Sequence, residues 1–151
     1  FEGEWAYVES IFYTYMRLRT WDERRIIVPV RHFVSTPFEN WSVKDARIMR
    51  TIRLILDHSA DIDVMREQFE AIAKEEEGVI EPDQLTCYVT AHSEKGQEIT
   101  FYAMTPDPST GWVTEMRLRE QLLKFVREEH PDWWPRERFA DLPDGPVTAG
   151  D

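Results

Sequence analysis

The stretch YTYMRLRTWDERRIIVPV, residues 13–30, contains two short runs with the alternating side-chain pattern of β-strands. Aromatic and β-branched residues dominate both runs, as a pleated surface favours. Asp22-Glu23 separates the runs, and Pro29 ends the second one. Trp21 to Arg24 is therefore predicted to be the tip of a β-hairpin.

A similar pattern begins at Trp5, so residues 5–30 predict three or four short strands of a small barrel-like sheet. One face of this sheet is predicted to carry Phe12, Met16 and Leu18. The opposite face is predicted to carry two tyrosines and two arginines: Tyr13, Tyr15, Arg17 and Arg19.

The arginines of this region form the one basic concentration of the chain: Arg17, Arg19, Arg24, Arg25 and Arg31. We interpret them as a solvated sheet face, because charge at a sheet edge limits pairing with other chains. The neighbouring aromatic residues leave a second interpretation open, since they could stack nucleic-acid bases.

After residue 46 the spacing predicts the order β-α-β-β-α. The first helix is predicted to be capped by Ser59 or Asp61 and to stop at Gly78. The second is predicted to be capped by Ser109 or Thr110. Its inward residues are predicted to be Trp112, Val113, Met116, Leu123 and Val126. Two helices on one face of an antiparallel sheet make a ferredoxin-like sandwich, so the predicted fold class is α+β.

Polar and proline-containing segments mark the predicted domain boundaries. The segment STPFENWS, residues 35–42, separates a β domain (1–42) from the ferredoxin-like domain (43–130), and residues 131–151 are predicted to be a proline-rich tail. Trp133-Trp134 is predicted to lie on the body of the protein. Asn40, Trp41 and Ser42 are the candidate interdomain hinge.

Charge and composition limit the classes of function. The net charge is −11, and residues 57–151 hold nine basic against twenty-two acidic side chains. A polyanion would be repelled by this part, so we expect no nucleic-acid partner. The single Cys87 cannot form an internal disulfide. No apolar run approaches the ~20 residues that span a bilayer.

No arrangement of residues predicts a catalytic, cofactor or metal site. Residues 57–63 are rich in Asp, but they lack the Gly and distal Glu of a calcium loop and are interpreted as a helix cap. The four histidines, His32, His58, His92 and His130, lie in different elements. Cys87 is interpreted as a buried core thiol. An enzyme is therefore not expected.

The first forty residues resemble the cytoplasmic β domain of the small-conductance mechanosensitive channel (MscS-like) family. In that family a Gly-containing strand leads to Val-Glu-x-Ile, then to an aromatic-Thr and Arg-Thr-aromatic-Asp stretch, an apolar strand with Pro, and Asn-aromatic-Ser. The matching residues are Gly3, Val8-Glu9-Ser10-Ile11, Tyr13-Thr14, Leu18-Arg19-Thr20-Trp21-Asp22, Ile26-Ile27-Val28-Pro29 and Asn40-Trp41-Ser42.

The resemblance implies that the N-terminal sheet is a small Sm-like β barrel or sheet, truncated at its N-terminus. It also implies a channel whose subunits form a ring, typically a heptamer, with a vestibule at the cytoplasmic face of a membrane. The bacterial inner membrane is the expected location, and ions and small osmolytes released under membrane tension are the expected solutes. The start at Phe1 is expected to be a cut within a longer protein that carries the membrane helices and the first β-domain strand. In this context Arg17, Arg19, Arg24 and Arg25 would face the membrane side or a neighbouring subunit.

A second class of function stays open at this point. A soluble module could use the ferredoxin-like part to bind a small ligand, or the β part to bind a peptide or nucleic acid.

Overall fold

The computed structural model describes residues 1–40 and 46–137, and the chain divides into two compact units, Phe1–Val43 (unit 1) and Lys44–Asp151 (unit 2). Unit 1 contains an antiparallel sheet in the order β1-β2-β3 and one short helix. Its elements are β1 (Ala6–Ile11), β2 (Tyr15–Thr20), β3 (Arg25–Pro29) and α1 (Val30–Ser35).

The predicted hairpin is present between β2 and β3. Leu18 pairs with Ile26, and the turn closes where the Thr20 amide donates to the Arg24 carbonyl at 2.9 Å. Glu23 takes the left-handed conformation that the tight turn requires, with φ of +66°. The strand pattern did not predict α1, which begins directly after Pro29. The helix ends at Ser35, the first residue of the predicted connection.

Unit 1 has a very small core. Only two of its described hydrophobic side chains are buried, Leu18 at 3% and Val28 at 4% exposure. Both lie on the face of the sheet that also holds Met16 and Ile26. Thr20, at the hairpin end of β2, is buried on the same face. A three-stranded sheet with so few buried side chains is marginal by itself.

Unit 2 has the predicted order β-α-β-β-α. Its elements are β4 (Ile48–Leu56), α2 (Ile62–Glu75), β5 (Thr86–Ser93), β6 (Gly96–Thr105) and α3 (Pro108–Glu129), with short 3-10 segments at Pro82–Gln84 and Pro131–Trp133. The sheet is antiparallel in the order β4-β6-β5. The α+β fold class, a small β sheet followed by a ferredoxin-like sandwich, is confirmed.

The core of unit 2 lies between the sheet and its two helices. Alternation along β4 points Ile52, Leu54 and Leu56 into this core, where sixteen buried hydrophobic side chains form one cluster. Phe69 of α2 packs against Phe101 of β6 with ring centroids 5.0 Å apart. Both helices therefore lie on one face of the sheet, and the other face carries no helix among the described residues.

The two helix starts are capped by aspartates. Asp61 caps α2, as predicted, by accepting hydrogen bonds from the Asp63 and Val64 amides. The prediction for α3 was wrong, because its cap is Asp107, with Pro108 as the first helical residue. The Thr110 amide and hydroxyl donate to the Asp107 carboxylate, and these bonds lower the pKa of Asp107. Ser109 and Thr110, which follow Pro108, therefore lie in the first turn of α3 and do not cap it.

The prediction for the inward side of α3 was also wrong in part. Val126 is buried, but Trp112 is 59% and Val113 40% exposed. The stripe that meets the sheet consists of Gly111, Thr114, Leu118, Leu122 and Val126. Small residues occupy the N-terminal half of this stripe because the helix lies close to the sheet there. A Cβ at Gly111 would stand 2.5 Å from the Thr105 hydroxyl.

Gly78 is needed for a close approach, whereas the sequence pattern assigned it to a helix stop. The helix α2 already ends at Glu75, and the next residue, Glu76, is extended. A Cβ on Gly78 would stand 1.8 Å from the Thr114 hydroxyl oxygen and 3.0 Å from the Thr114 Cβ. The loop after α2 can therefore pass α3 only if position 78 has no side chain.

The residues that follow α3 are anchored to unit 2. Trp133 is buried at 6% exposure, and its carbonyl accepts a 2.7 Å hydrogen bond from the Asp57 amide at the end of β4. The His130 ring stacks on the Trp133 ring with centroids 3.7 Å apart. Residues 138–151 of the predicted tail lie outside the described residues.

We predict that Gly78→Ala lowers the free energy of unfolding by about 1–3 kcal/mol, because the new methyl group overpacks the contact with Thr114. Thr114→Ala in the same chain should recover part of this loss, since it removes the hydroxyl that the methyl group meets. Urea denaturation of the two single variants and the double variant measures the coupling. Strictly additive effects would contradict the assigned contact.

Candidate functional site

Three of the four arginines of the candidate basic face lie on one side of the sheet of unit 1, and all four have carboxylate partners within the unit. Arg17, Arg19 and Arg25 occupy neighbouring strands on one side of the sheet, and Arg24 lies at the hairpin tip. The Nε of Arg17 lies 2.7 Å from Glu9, and Arg25 contacts the same carboxylate at 3.4 Å. Two arginines therefore share one acidic partner.

The hairpin tip holds the other two arginines. Arg19 contacts Glu23 at 3.1 Å, while Arg24 contacts Asp22 at 2.6 Å and Glu4 at 3.1 Å. The described part of unit 1 contains five basic and six acidic side chains, so its net charge is −1. A nearly neutral surface of paired charges offers little attraction to a polyanion.

Sequence reasoning identified these arginines but missed their acidic partners. Glu9 stands at an irregularity of the β1–β2 pairing, between Val8 and Ser10, which directs its carboxylate towards Arg17 and Arg25. A bulge of this kind has no clear signal in strand alternation. The contact between Arg24 and Asp22 was predictable from the sequence, because a tight turn brings residues that are two positions apart close together.

The carboxyl group of Asp22, at the hairpin tip, has a lowered pKa. A hydrogen bond from the Thr20 hydroxyl is the largest cause, followed by a hydrogen bond from Arg24, and both lower the pKa of Asp22. Hydrogen bonds to Asp22 and then to Glu4 raise the pKa of Arg24. The hairpin tip is thus held by charge-assisted hydrogen bonds at the surface.

Many large hydrophobic side chains of unit 1 are exposed. They lie on β1, on the β1–β2 turn, at the hairpin tip, on β3, and on and after α1: Tyr7, Val8, Ile11, Phe12, Tyr13, Trp21, Ile27, Val34 and Phe38. Tyr13 is 99% and Ile11 70% exposed, against two buried hydrophobic side chains in the whole described unit. An excess of this kind marks a surface that binds another protein or a membrane.

Residues 46–137, the described part of unit 2, are acidic, with nineteen acidic against eleven basic side chains and a net charge of −8. Glu75, the last residue of α2, and Glu77, just after the helix, are exposed, whereas Glu76 contacts Arg117 of α3 at 3.3 Å. Glu115 is held between Arg119 at 2.7 Å and Arg50 at 3.5 Å. Exposed negative charge therefore concentrates at the end of α2 and along the outer helix surfaces.

The described residues hold no candidate metal site. Within residues 1–40 and 46–137 there is no group of three or more His, Cys, Asp or Glu side chains that could hold a metal ion. Burial raises the pKa of the Cys87 thiol to about 11, which keeps it protonated and unreactive. A surface depression of about 460 Å³ is walled by residues 33–38, almost all of them exposed, so it encloses no ligand.

The candidate hinge falls at the edge of the described residues. Asn40 is exposed, and Trp41 and Ser42 lie outside the described residues, so the hinge stays a prediction. No helix in the described part of the chain has the length and the hydrophobicity that crossing a bilayer demands.

We predict that Thr20→Val raises the pKa of Asp22 towards its ordinary value of 3.8, because the variant removes the largest cause of the lowered pKa. The carboxylate stabilises the hairpin above the unfolded-state pKa, and this contribution is lost as the pH falls through the lower folded-state value. An NMR titration of the carboxyl carbons measures the change, with Arg31→Gln as a control. An Asp22 pKa that is equal in wild type and Thr20→Val would contradict the assignment.

Comparison with known proteins gives a family match in unit 1. The model of the mechanosensitive ion channel β-domain matches residues 4–43. No curated protein sequence matches the chain. The family match covers the residues that carry the paired arginines and most of the exposed hydrophobic side chains.

Solved structures of channels share the fold of both units. MscS of Helicobacter pylori in its closed state superposes with a TM-score of 0.74 at 15% identity, over 91% of this chain and 55% of that chain. MSL1 of Arabidopsis thaliana superposes with a TM-score of 0.60 at 15% identity, over 90% of this chain and 50% of that chain. The chain thus spans about half the length of the structures it matches.

Together, the β-domain match and the shared fold confirm the resemblance that the first forty residues predicted. Residues 4–43 match the β domain of the mechanosensitive ion channel family, and the chain as a whole shares its fold, a small β unit followed by a ferredoxin-like α/β unit, with the solved MscS and MSL1 structures.

Proposed function

We propose that this chain is the cytoplasmic vestibule region of a mechanosensitive ion channel. In this role unit 1 joins neighbouring subunits, and unit 2 forms a wall that filters the solutes on their way to the pore. The full-length protein releases ions and small osmolytes when membrane tension rises. The observation that carries the proposal is the β-domain match over residues 4–43, together with the exposed hydrophobic side chains of the same unit.

Subunit assembly is supported by the small core of unit 1. Two buried hydrophobic side chains leave most of the apolar surface of the sheet in contact with water. Association with further copies would remove this surface from water and stabilise the unit at the same time. We therefore propose a ring of identical subunits, heptameric as the family resemblance implies, at the cytoplasmic face of a bacterial inner membrane.

The paired arginines suit a contact surface between subunits. Arg17, Arg19, Arg24 and Arg25 each have a carboxylate partner in their own unit, so a neighbour would not meet uncompensated charge there. A guanidinium that already holds one carboxylate can still donate to a second acceptor. We propose this face as the subunit-contact or membrane-side surface of unit 1, and Asn40, Trp41 and Ser42 as the joint that follows it.

Solute filtering is supported by the charge of unit 2. A net charge of −8 over residues 46–137 would be repeated in every subunit around the vestibule. Salt at physiological strength screens charges beyond ~8 Å, so the field acts on solutes close to the wall. Such a wall enriches cations by its electrostatic potential and needs no catalytic side chain. We accordingly propose a role in conduction and not in catalysis.

We predict that Ile11→Ser and Ile27→Ser each weaken self-association of the chain by about tenfold or more, because fully burying such a side chain contributes about 1.5–3 kcal/mol. The two positions are 70% and 66% exposed, so secondary structure should be unchanged. Sedimentation velocity over a concentration series measures association, and Glu67→Ala on α2 is a surface control. A wild-type chain that stays monomeric at all concentrations would contradict the assembly role.

We predict that Glu75→Gln together with Glu77→Gln reduces the preference of the full-length channel for cations. Both carboxylates are exposed, and their neutralisation lowers the negative potential of the wall. Reversal potentials in asymmetric KCl, recorded from single channels, measure the preference, with Glu23→Gln in unit 1 as a control. A reversal potential that does not move after the double change would contradict electrostatic filtering by unit 2.

A further inference from the structure

The turn between β1 and β2, residues 12–14, carries exposed aromatic side chains and no charge. The Phe12 amide donates to the Tyr15 carbonyl at 2.8 Å, so the turn is tight. Tyr13 is 99% and Phe12 40% exposed. No charged residue lies between Glu9 and Arg17 in the sequence, so the turn and the strand ends beside it are neutral. We call residues 12–14 the aromatic turn.

The charges at the two ends of this neutral stretch compensate each other. The Nε of Arg17 lies 2.7 Å from the Glu9 carboxylate. The Arg17 guanidinium carbon lies 5.8 Å from the centre of the Phe12 ring, which stacks on the Tyr15 ring with centroids 4.5 Å apart. Moving an unpaired charge out of water is costly, and the aromatic turn carries none. The turn is therefore held in place and can leave water without an unpaired charge.

Arg31 lies one residue beyond a backbone contact with the aromatic turn. The Val30 amide, at the start of α1, donates to the Thr14 carbonyl at 3.0 Å. Arg31 is exposed. Of the five arginines in residues 1–40, it alone contacts no carboxylate of the described residues. One uncompensated guanidinium thus stands near an uncharged aromatic surface, in a unit whose other four arginines are paired.

The size and charge of the aromatic turn fit a bilayer surface better than a macromolecule in solution. A turn of three residues is far smaller than the ~800 Å² that each partner contributes to a standard protein interface. A nucleic acid is held by several cations, whereas Arg31 is single. A bilayer requires only shallow burial, since aromatic side chains lie at the level of the headgroups and a nearby guanidinium is attracted by anionic lipid.

We propose that the aromatic turn inserts Phe12 and Tyr13 among the headgroups of a bilayer that contains anionic phospholipid, where Arg31 binds a lipid phosphate. A guanidinium can donate two parallel hydrogen bonds to a phosphate. The Tyr13 ring can enter the apolar boundary while its hydroxyl stays hydrated. This contact rests on the proposed function, in which unit 1 belongs to a membrane channel. It assigns the membrane side of unit 1 to the aromatic turn and leaves the four paired arginines, with Ile11 and Ile27, to the subunit contact.

A fluorophore at the aromatic turn tests the contact. Thr14→Cys, in the exposed turn, carries a nitrobenzoxadiazole label, whose emission rises and shifts to the blue when the label leaves water. The thiol of Cys87 is buried and protonated, so it is not labelled. An N-terminal histidine tag holds the chain on phosphatidylcholine vesicles that contain nickel-chelating lipid, with or without phosphatidylglycerol, so that weak insertion is measurable. The matched control is the same label at Lys95→Cys, in the β5–β6 turn of unit 2.

The label at position 14 is expected to shift on both kinds of vesicle, and more strongly with phosphatidylglycerol, whereas the label at position 95 stays in water. Tyr13→Ser should lower the ratio of inserted to free turn about tenfold, because the variant has no ring to remove from water. Arg31→Gln should lower this ratio about fivefold with phosphatidylglycerol and by much less without it. Arg53→Gln, exposed on β4, removes the same charge from unit 2 and should leave the ratio unchanged.

The outcomes separate this contact from the proposed assembly. A label at position 14 that stays in water on tethered chains would overturn the contact, and so would equal shifts at positions 14 and 95. A blue shift that appears without vesicles as the chain concentration rises would show that a second copy covers the turn, which also overturns the contact. Sedimentation velocity reports assembly independently. Oligomers without insertion overturn only the bilayer contact, whereas insertion by a monomeric chain supports the contact and overturns the assembly role.

Discussion

The shortage of buried apolar surface in unit 1 is the constraint on which the rest depends. Leu18 and Val28 are its only buried hydrophobic side chains among the described residues, whereas the cluster in unit 2 has sixteen. Ordering each residue of a sheet costs about 1–2 kcal/mol of backbone entropy, and burial of apolar surface is the main term that offsets it. A unit with so small a core is stabilised when another copy covers its exposed side chains.

The ion pairs of unit 1 determine the net charge of its surface. Four arginines on a small sheet would repel one another and draw in anions if they stood alone. Instead Glu9 lies between Arg17 and Arg25, and the hairpin tip brings Asp22 and Glu4 to Arg24. Such exposed pairs contribute little to stability, about 0–1 kcal/mol each. Their consequence is a surface of low net charge, on which apolar contacts can form without electrostatic opposition.

The two layers of unit 2, the sheet and the helices, differ in surface charge. The sheet and helices bury one core of sixteen hydrophobic side chains, and most acidic side chains lie on the helix layer and the loops. The face of the sheet that the helices do not cover has few charges and several apolar residues.

The sequence by itself determined the order of elements in unit 2, the hairpin of unit 1 and the family resemblance. These depend on local periodicity, on Pro and Asp at turns, and on the ordered motifs from Gly3 to the Asn-Trp-Ser segment, all of which act over a few residues. The tertiary structure alone decided which side of α3 is buried. Only the tertiary structure also shows why position 78 is a glycine and which carboxylate each arginine contacts. The buried side of α3 and the glycine at position 78 depend on how closely two elements approach each other at Gly111 and at Gly78. The carboxylate partners of Arg17 and Arg25 depend on a bulge at Glu9. Distances between residues far apart in the chain are set by packing, which local spacing does not encode.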